Sequence, residues 1–294
     1  MKKKLCIILF ALLLTANVGQ AQFLDSEPMF GQMLNLGHWS TDGLVFYWRG
    51  IEAGNVVDES FYRNHGMITG PTWVGNGLSL NGTSDFVSIP DASELNFGSA
   101  NWSFIIWFKS TQFHASGAGG MIEVADAPGD FWPTISLRGN ANGTVRLLAR
   151  DDDLDGSIDA TSTGTYDDGL WHSATVVRSG TSVNCYFDGI VETIGGSDAQ
   201  LSNMSMGSSW FIGKTYDSTP AWWGGDVSDI NIYNRALSAS EILDLYINRD
   251  LPMQQEPIWL MYSPPVGGID IGALMRAIRS DKTGGKQGKS GGKQ

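Results

Sequence analysis

The sequence predicts an all-β protein: a two-sheet antiparallel sandwich with one short C-terminal helix. Three observations carry this. Between Gly77 and Gly225, short runs alternate apolar and polar residues with the period of two that a strand requires. Clusters of Gly, Asn, Asp, Ser and Pro separate those runs at nearly every junction. Finally, 37 glycines and 11 tryptophans stand against 17% charged residues, with 42% of the 294 residues hydrophobic, enough for a substantial core. No strand–helix alternation occurs, which excludes a parallel α/β sheet.

The chain opens on a targeting segment, Met1 to Ala21. Lys2, Lys3 and Lys4 start it, Leu5 to Thr15 is apolar, and Gly19-Gln20-Ala21 gives a small-residue exit. The apolar run is far short of the roughly 20 residues that span a bilayer, so an exported protein without a membrane span is expected. Removal of this segment leaves Cys185 as the one cysteine and no internal disulfide. On the same strand side as Val183 and Phe187, Cys185 reads as a small buried hydrophobe, with an intermolecular disulfide as the other reading. The formal charge of −12 understates the body of the protein: residues 22–270 hold 30 acidic against 10 basic side chains. Such a surface disfavours nucleic acid and anionic membranes and favours cations.

Residues 22–36 read as a linker, and Gly43 to Trp48 as the first strand. Val57-Asp58-Glu59-Ser60 to Asn64-His65-Gly66 is a loop in which Asp58 and Asn64 are turn formers. Strand runs follow at Leu78–Leu80, Phe86–Ile89, Trp102–Ser110, Met121–Val124, Thr134–Leu137, Thr144–Arg150 and Ser157–Ser162. Asp167 to Gly189 is a hairpin: Trp171, Ser173, Thr175 and Val177 face one way, His172, Ala174 and Val176 the other. Gly180 frees its turn to take positive φ. Further runs are Ile190–Ile194 and Trp210–Lys214, and Asp226–Tyr233 is the last long strand. Ser238-Ala239-Ser240-Glu241 is a capping box opening the helix, with Ile242, Leu243, Leu245 and Tyr246 as its apolar stripe. Arg235 reads as a pin for loop carbonyls or carboxylates. Residues 251–294 form a strap followed by a basic Gly/Lys/Gln tail, too polar to fold alone.

Several of these stretches together resemble the laminin G-like domains of the concanavalin A-like lectin/glucanase superfamily. They are Asp168, Gly169, Trp171, His172, Val176, Val177, Tyr186, Asp188 and Gly189, then Gly225, Asp229 and Ile232 through Ser238 with Glu241 and Ile242. Gly77 to Gly82, Asp85 to Val87 and Trp102 to Phe108 also fit. The resemblance covers residues 37–250 and implies a jelly-roll sandwich. It makes Asp58, Asp226 and Asp229 a candidate calcium set at the sandwich rim, and it marks Trp171-His172 as fold residues. It also invites comparison of Glu123 and Asp126 with the E-x-D-x-x-E of the superfamily's glucanases, whose carboxylates flank the scissile bond. Here Ala125 and the absence of a Glu at the sixth position depart from that pattern, and no nucleophile, metalloprotease or phosphate-loop motif occurs.

Two further groups of residues point to chemistry directly. Asp151, Asp153 and Asp155, followed by Gly156 and with Asp159 beyond, repeat the front half of a calcium loop, where carboxylates converge on one ion and Gly permits the bend. The twelfth position is Ser162, not Glu, so a plain acidic hairpin tip is the competing reading. Among aromatics on loops, Pro220-Ala221-Trp222-Trp223-Gly224-Gly225 places two adjacent indoles so that one faces inward and one outward. Trp132 and Tyr166 are the other loop candidates. Exposed rings of this kind stack on sugar faces while acids and amides take the hydroxyls; core packing is the alternative for each. The expectation is a secreted or surface-exposed, non-catalytic binding module for carbohydrate or a glycosylated partner, calcium-assisted, with an adhesion scaffold and a polysaccharide-degrading enzyme as alternatives.

Overall fold

The structure, a computed structural model, describes residues 34–51, 54–113, 118–127, 130–152, 156–192, 201–216 and 220–253; the side chains of residues 126, 127 and 130–132 lie outside this description. The leader, most of the linker and the tail therefore fall outside the described residues. Among the described residues, fifteen strands run in chain order. The first five are β1 (Leu44–Trp48), β2 (Met67–Thr69), β3 (Thr72–Trp73), β4 (Leu78–Asn81) and β5 (Phe86–Ile89). The long central ones are β6 (Trp102–Lys109), β7 (Ala118–Ala127), β8 (Asp130–Asn140), β9 (Val145–Arg150) and β10 (Ser157–Thr161). The last are β11 (His172–Ser179), β12 (Ser182–Phe187), β13 (Ile190–Glu192), β14 (Trp210–Ile212) and β15 (Gly224–Tyr233).

They pair antiparallel into two sheets. One has the order β13-β12-β11-β6-β15-β4-β3, with β1 also paired to β15; the other has the order β10-β9-β8-β7-β14-β5-β2. This is the jelly-roll sandwich the sequence predicts. Its inner faces meet in one core that includes Phe104, Ile106, Val176, Cys185 and Ile232 from the first sheet. From the second come Val87, Ile122, Ile135, Leu147 and Ile212. Cys185 is buried there, as the alternation implies. Gly180 has φ 65° at the β11–β12 turn, where a side chain would be strained.

The outward face of the first sheet is covered. Helix α1 (Ala239–Ile247) opens on the capping box expected at Ser238 and Glu241. Its Ile242 and Leu245 join Tyr47, Ile105, Trp107, Val177 and Tyr233 in a second core. Tyr246 stacks on Trp107 with ring centroids 5.4 Å apart and planes at 2°. Packing extends to Leu34 and to the short 3-10 turn Leu251–Met253. Arg235 is the expected pin: its guanidinium donates to the Asp42 and Trp39 carbonyls and pairs with Glu241 at 2.9 Å. Among the described residues, the extended outward sheet face not roofed by a helix thus belongs to the second sheet.

Candidate functional site

On that second sheet the strand period turns Val87, Trp210, Ile212, Ile122 and Ile135 inward and their neighbours outward. One outward row crosses six strands through the register Ser88, Phe211, Glu123, Ser136, Leu148, Asp159. At one end of the row lies a patch of half-buried rings. Phe86 of β5 meets Phe211 of β14 edge-on with centroids 6.1 Å apart, and Trp222 lies 6.2 Å from Phe86. Tyr216 is 5.3 Å from Phe211. The Lys214 ammonium stands 4.3 Å from the Phe86 centroid and 4.2 Å from that of Phe211, within cation–π range of both.

The loop before β15 sets this patch. Its two indoles divide as the sequence implies: Trp223 is fully buried in the core, while Trp222 keeps partial exposure. A fully buried ring offers no face to a ligand, so of the two candidates it is Trp222 that a ligand can reach. Gly119 and Gly120 let β7 run against this loop: a Cβ on Gly119 would lie 2.4 Å from the Trp222 carbonyl oxygen, and one on Gly120 2.5 Å from Lys214 backbone. The Gly120 N–H donates to the Ala221 carbonyl at 3.0 Å, and Trp223 N–H to that of Gly213 at 3.0 Å. These bonds fix the backbone at Trp222 relative to the sheet, and the ring packs against Phe86.

Beside the patch Glu123 is buried. One carboxylate oxygen accepts from the Tyr216 N–H at 2.8 Å; the other takes the Ser136 hydroxyl and the Arg138 guanidinium, the latter at 2.8 Å. Both oxygens are held, which gives this carboxylate the role of a strut. The Asp126 side chain lies outside the description. Farther along, Arg146 grips Asp159 with two donors, its Nε at 2.6 Å from Oδ1. That bond lowers the Asp159 pKa and raises that of Arg146.

The other sequence candidates are engaged locally. Tyr166 stacks on Phe187 at 4.5 Å and donates its hydroxyl to Glu192 at 2.6 Å. His172 sits between Asp188 (2.8 Å) and Asp168 (3.1 Å); burial pulls its pKa down, but these two carboxylates outweigh burial and it is raised. The Trp132 side chain is outside the description. Asp58, fully buried, accepts the Tyr47 N–H (2.9 Å), the Ser60 N–H (2.8 Å) and hydroxyl (2.9 Å), and the Asn64 N–H (2.7 Å). Asp226 pairs with Lys109 at 2.7 Å at the edge of a cavity of about 330 Å³ lined by Leu80, Thr111, Gln112 and Gly224. Asp229, at φ 35° in a bulge of β15, bonds Ser228 and Arg249, and burial pushes its carboxyl up to about 6. Donors and cations thus stand where a calcium ion would need bare oxygens around Asp58, Asp226 and Asp229, so this set does not fit the ion. Asp151 is likewise spent on the Gly156 N–H (3.0 Å) and Ser202 N–H (3.0 Å). Asp153 and Asp155 lie outside the described residues, among which no group of three His, Cys, Asp or Glu converges.

Comparison with known proteins agrees with the architecture. No curated protein matches the sequence. The binding domain of Paraclostridial Mosquitocidal Protein 1 superposes with TM-score 0.57 at 18% identity, over 70% of this chain and 52% of that one. A mutant Trypanosoma rangeli sialidase displaying trans-sialidase activity gives 0.57 at 18%, over 72% and 34%. Domain 4 of AbnA, a GH43 extracellular arabinanase from Geobacillus stearothermophilus, in complex with arabinotriose, gives 0.56 at 19%, over 69% of this chain and 98% of that domain. This chain therefore spans about half of the first, a third of the second and nearly all of the third, and the likeness is one of fold. A laminin G-type family model matches residues 81–243, more than half of the sequence, and with it the chain belongs to the concanavalin A-like lectin/glucanases superfamily.

Proposed function

We propose that the protein is a secreted or surface-exposed, non-catalytic module that binds carbohydrate or a glycosylated partner. The observation that carries this reading is the half-buried ring patch of Phe86, Phe211, Tyr216 and Trp222 on the outward side of the second sheet, its Trp222 loop held by backbone bonds. Rings of this kind stack on the C–H faces of sugars, and a fixed platform binds without paying to order a loop. Support for a non-catalytic role comes from Glu123, which is buried and whose two oxygens are engaged by Ser136, Arg138 and Tyr216, so that it is not presented to a ligand. The complex of arabinanase domain 4 with arabinotriose supports the carbohydrate reading by analogy of fold alone.

An adhesion scaffold is favoured by a different feature. Ile190 (63%) and Val191 (57%) are exposed on β13, an edge strand of the first sheet, and exposed apolar edges template pairing with another chain. One experiment separates the two readings: a glycan and polysaccharide binding screen on residues 22–294, in calcium and in EDTA, beside the Trp222→Ala variant. Sugar binding lost in Trp222→Ala supports the module. Calcium dependence of that binding would support an ion-assisted module, with Asp153→Asn and Asp155→Asn as the variants that test where the ion sits. No binding in either condition, or binding indifferent to Trp222, refutes the placement of the site.

A further inference from the structure

The roof over the first sheet packs on Tyr47, Ile105, Trp107 and Tyr233 and does not include the strand ends at Lys109 and Asp226. There the register sets an outward row of polar side chains: Thr72 opposite Ser79, Ser79 opposite Asp226, and Asp226 opposite Lys109. Lys109 in turn stands 5.3 Å from the Trp171 ring centroid. All five side chains are half-buried or exposed, and Lys109 and Asp226 line the cavity of about 330 Å³ described above. Its walls are fixed by hydrogen bonds of the protein itself. The Ser110 hydroxyl accepts from the Gln112 N–H at 3.1 Å and donates to the Gly224 carbonyl at 2.9 Å, and the Ser110 carbonyl takes the Gly169 N–H at 2.9 Å. Gly225, at φ 144°, lets β15 start so near β6 that a Cβ would lie 2.5 Å from the Lys109 carbonyl oxygen. Lys109 and Asp226 meet at 2.7 Å with 35% and 18% of their side chains exposed. A carboxylate accepts about four hydrogen bonds and an ammonium donates three. Among the described residues, this ion pair and the Trp171 contact are the interactions of the two side chains, so both keep hydrogen-bonding capacity at the cavity wall.

We propose that this cavity is a second saccharide site, which takes one neutral sugar ring through adjacent hydroxyls, one donating to Asp226 and the next accepting from Lys109. The inference rests on the binding-module reading and names the class of its ligand. A diol fits because it meets acceptor and donor side by side without separating them. A charged group does not: Lys109 holds an acid only against the repulsion of Asp226, and Asp226 holds an amine only against that of Lys109. The pair therefore selects neutral hydroxyls. The volume lies at the lower end of the roughly 300–1,000 Å³ of ligand pockets, in keeping with a single ring. The site is distinct from the ring patch, although one loop serves both. Gly224 in the cavity wall follows Trp222 by two residues, at most about 7 Å between Cα atoms, and Trp223 between them is buried in the core.

The test is amide chemical-shift mapping of the full mature chain by NMR. Probes are the methyl glycosides of glucose, galactose, xylose and arabinose, beside glucuronic acid and glucosamine. At least one neutral glycoside should shift the amides of Thr111, Gln112 and Gly169, and should bind about tenfold more tightly than the two charged sugars. Asp226→Asn and Lys109→Gln should each weaken that binding about tenfold or more, since each removes a charge-assisted hydrogen bond. Neither should move the unfolding midpoint far, because the ion pair is partly exposed. The map on the wild-type protein locates the sugar whatever the variants do to folding. Shifts confined to Phe86, Phe211, Tyr216 and Trp222 overturn the rim site and leave the binding module standing. Shifts confined to the rim uphold this site and refute the ring patch. Rim binding that neither variant weakens, or that the charged sugars match, overturns the proposal. No shift with any of the six sugars overturns both readings.

Discussion

Asp58→Ala separates a structural carboxylate from a metal ligand. In the structure the Asp58 oxygens accept four donors, the N–H groups of Tyr47, Ser60 and Asn64 and the Ser60 hydroxyl, and the residue is fully buried. These bonds tie the loop after β1 back to that strand. Each hydrogen bond contributes about 1 kcal/mol net, and a buried donor left unpaired costs at least as much, so the variant should lose about 4 kcal/mol. For a domain of this size that lowers Tm by roughly 10 °C. Urea unfolding of wild type and variant, each in calcium and in EDTA, is the assay. The loss should be the same in both buffers, since the four donors are all protein groups. A loss below about 1 kcal/mol, or one confined to calcium buffer, refutes the reasoning and returns Asp58 to a metal site.

Three further outcomes are expected. Trp223→Ala, which empties a fully buried site, should cost about 3–5 kcal/mol in denaturant unfolding, whereas Trp222→Ala should cost under about 1 kcal/mol and act on ligand binding. His172 has a raised pKa, so its stabilising charge is fully present below the unfolded value of 6.5 and is lost as pH rises through the folded value. Unfolding midpoints should therefore fall from pH 6 to pH 8.5 and fall less in His172→Gln; parallel profiles would exclude the Asp168–His172–Asp188 arrangement. Gly213→Ala places a Cβ 2.1 Å from Leu80 Cδ2 at φ 92°, and should destabilise the fold and displace the Trp222 loop. Unchanged stability, with unchanged glycan binding, would show that the loop tolerates the shift.

The strands were legible because a half-buried strand writes its period into the sequence. Trp171 to Val177 alternate between the two cores as read. The helix was legible from its capping box, whose donors and acceptors are four residues of contiguous chain. By contrast β2 and β3 hold three and two residues, each with one side chain, Ile68 or Trp73, packed on the core, too few to show a period. At the site, Trp222 and Trp223 stood out because adjacent strand positions must point to opposite faces. Phe86, Phe211 and Lys214 did not, since pairing between β5 and β14 joins segments more than a hundred residues apart. The cross-strand pair Arg138 and Arg146 left a local trace: the two flank the β8–β9 turn symmetrically, and folding that hairpin about Asn142 aligns them. The partners of the rim carboxylates were not legible, for an electrostatic reason. Sequence displays acidic residues without showing Lys109 or Arg249, the cations that the fold brings to Asp226 and Asp229.

Helix α1 has a consequence for valency. By roofing the outward face of one sheet it leaves the described residues asymmetric, with the ring patch of Phe86, Phe211, Tyr216 and Trp222 on the face that no helix covers. If the protein is the carbohydrate-binding module proposed above, one such face would engage one stretch of polymer at a time, and its bound lifetime on a surface would be that of one contact. Longer retention would come from copies held side by side, where each release leaves the neighbours attached and rebinding becomes intramolecular. The density of the protein on whatever carries it, more than its intrinsic affinity, would then set how firmly it holds.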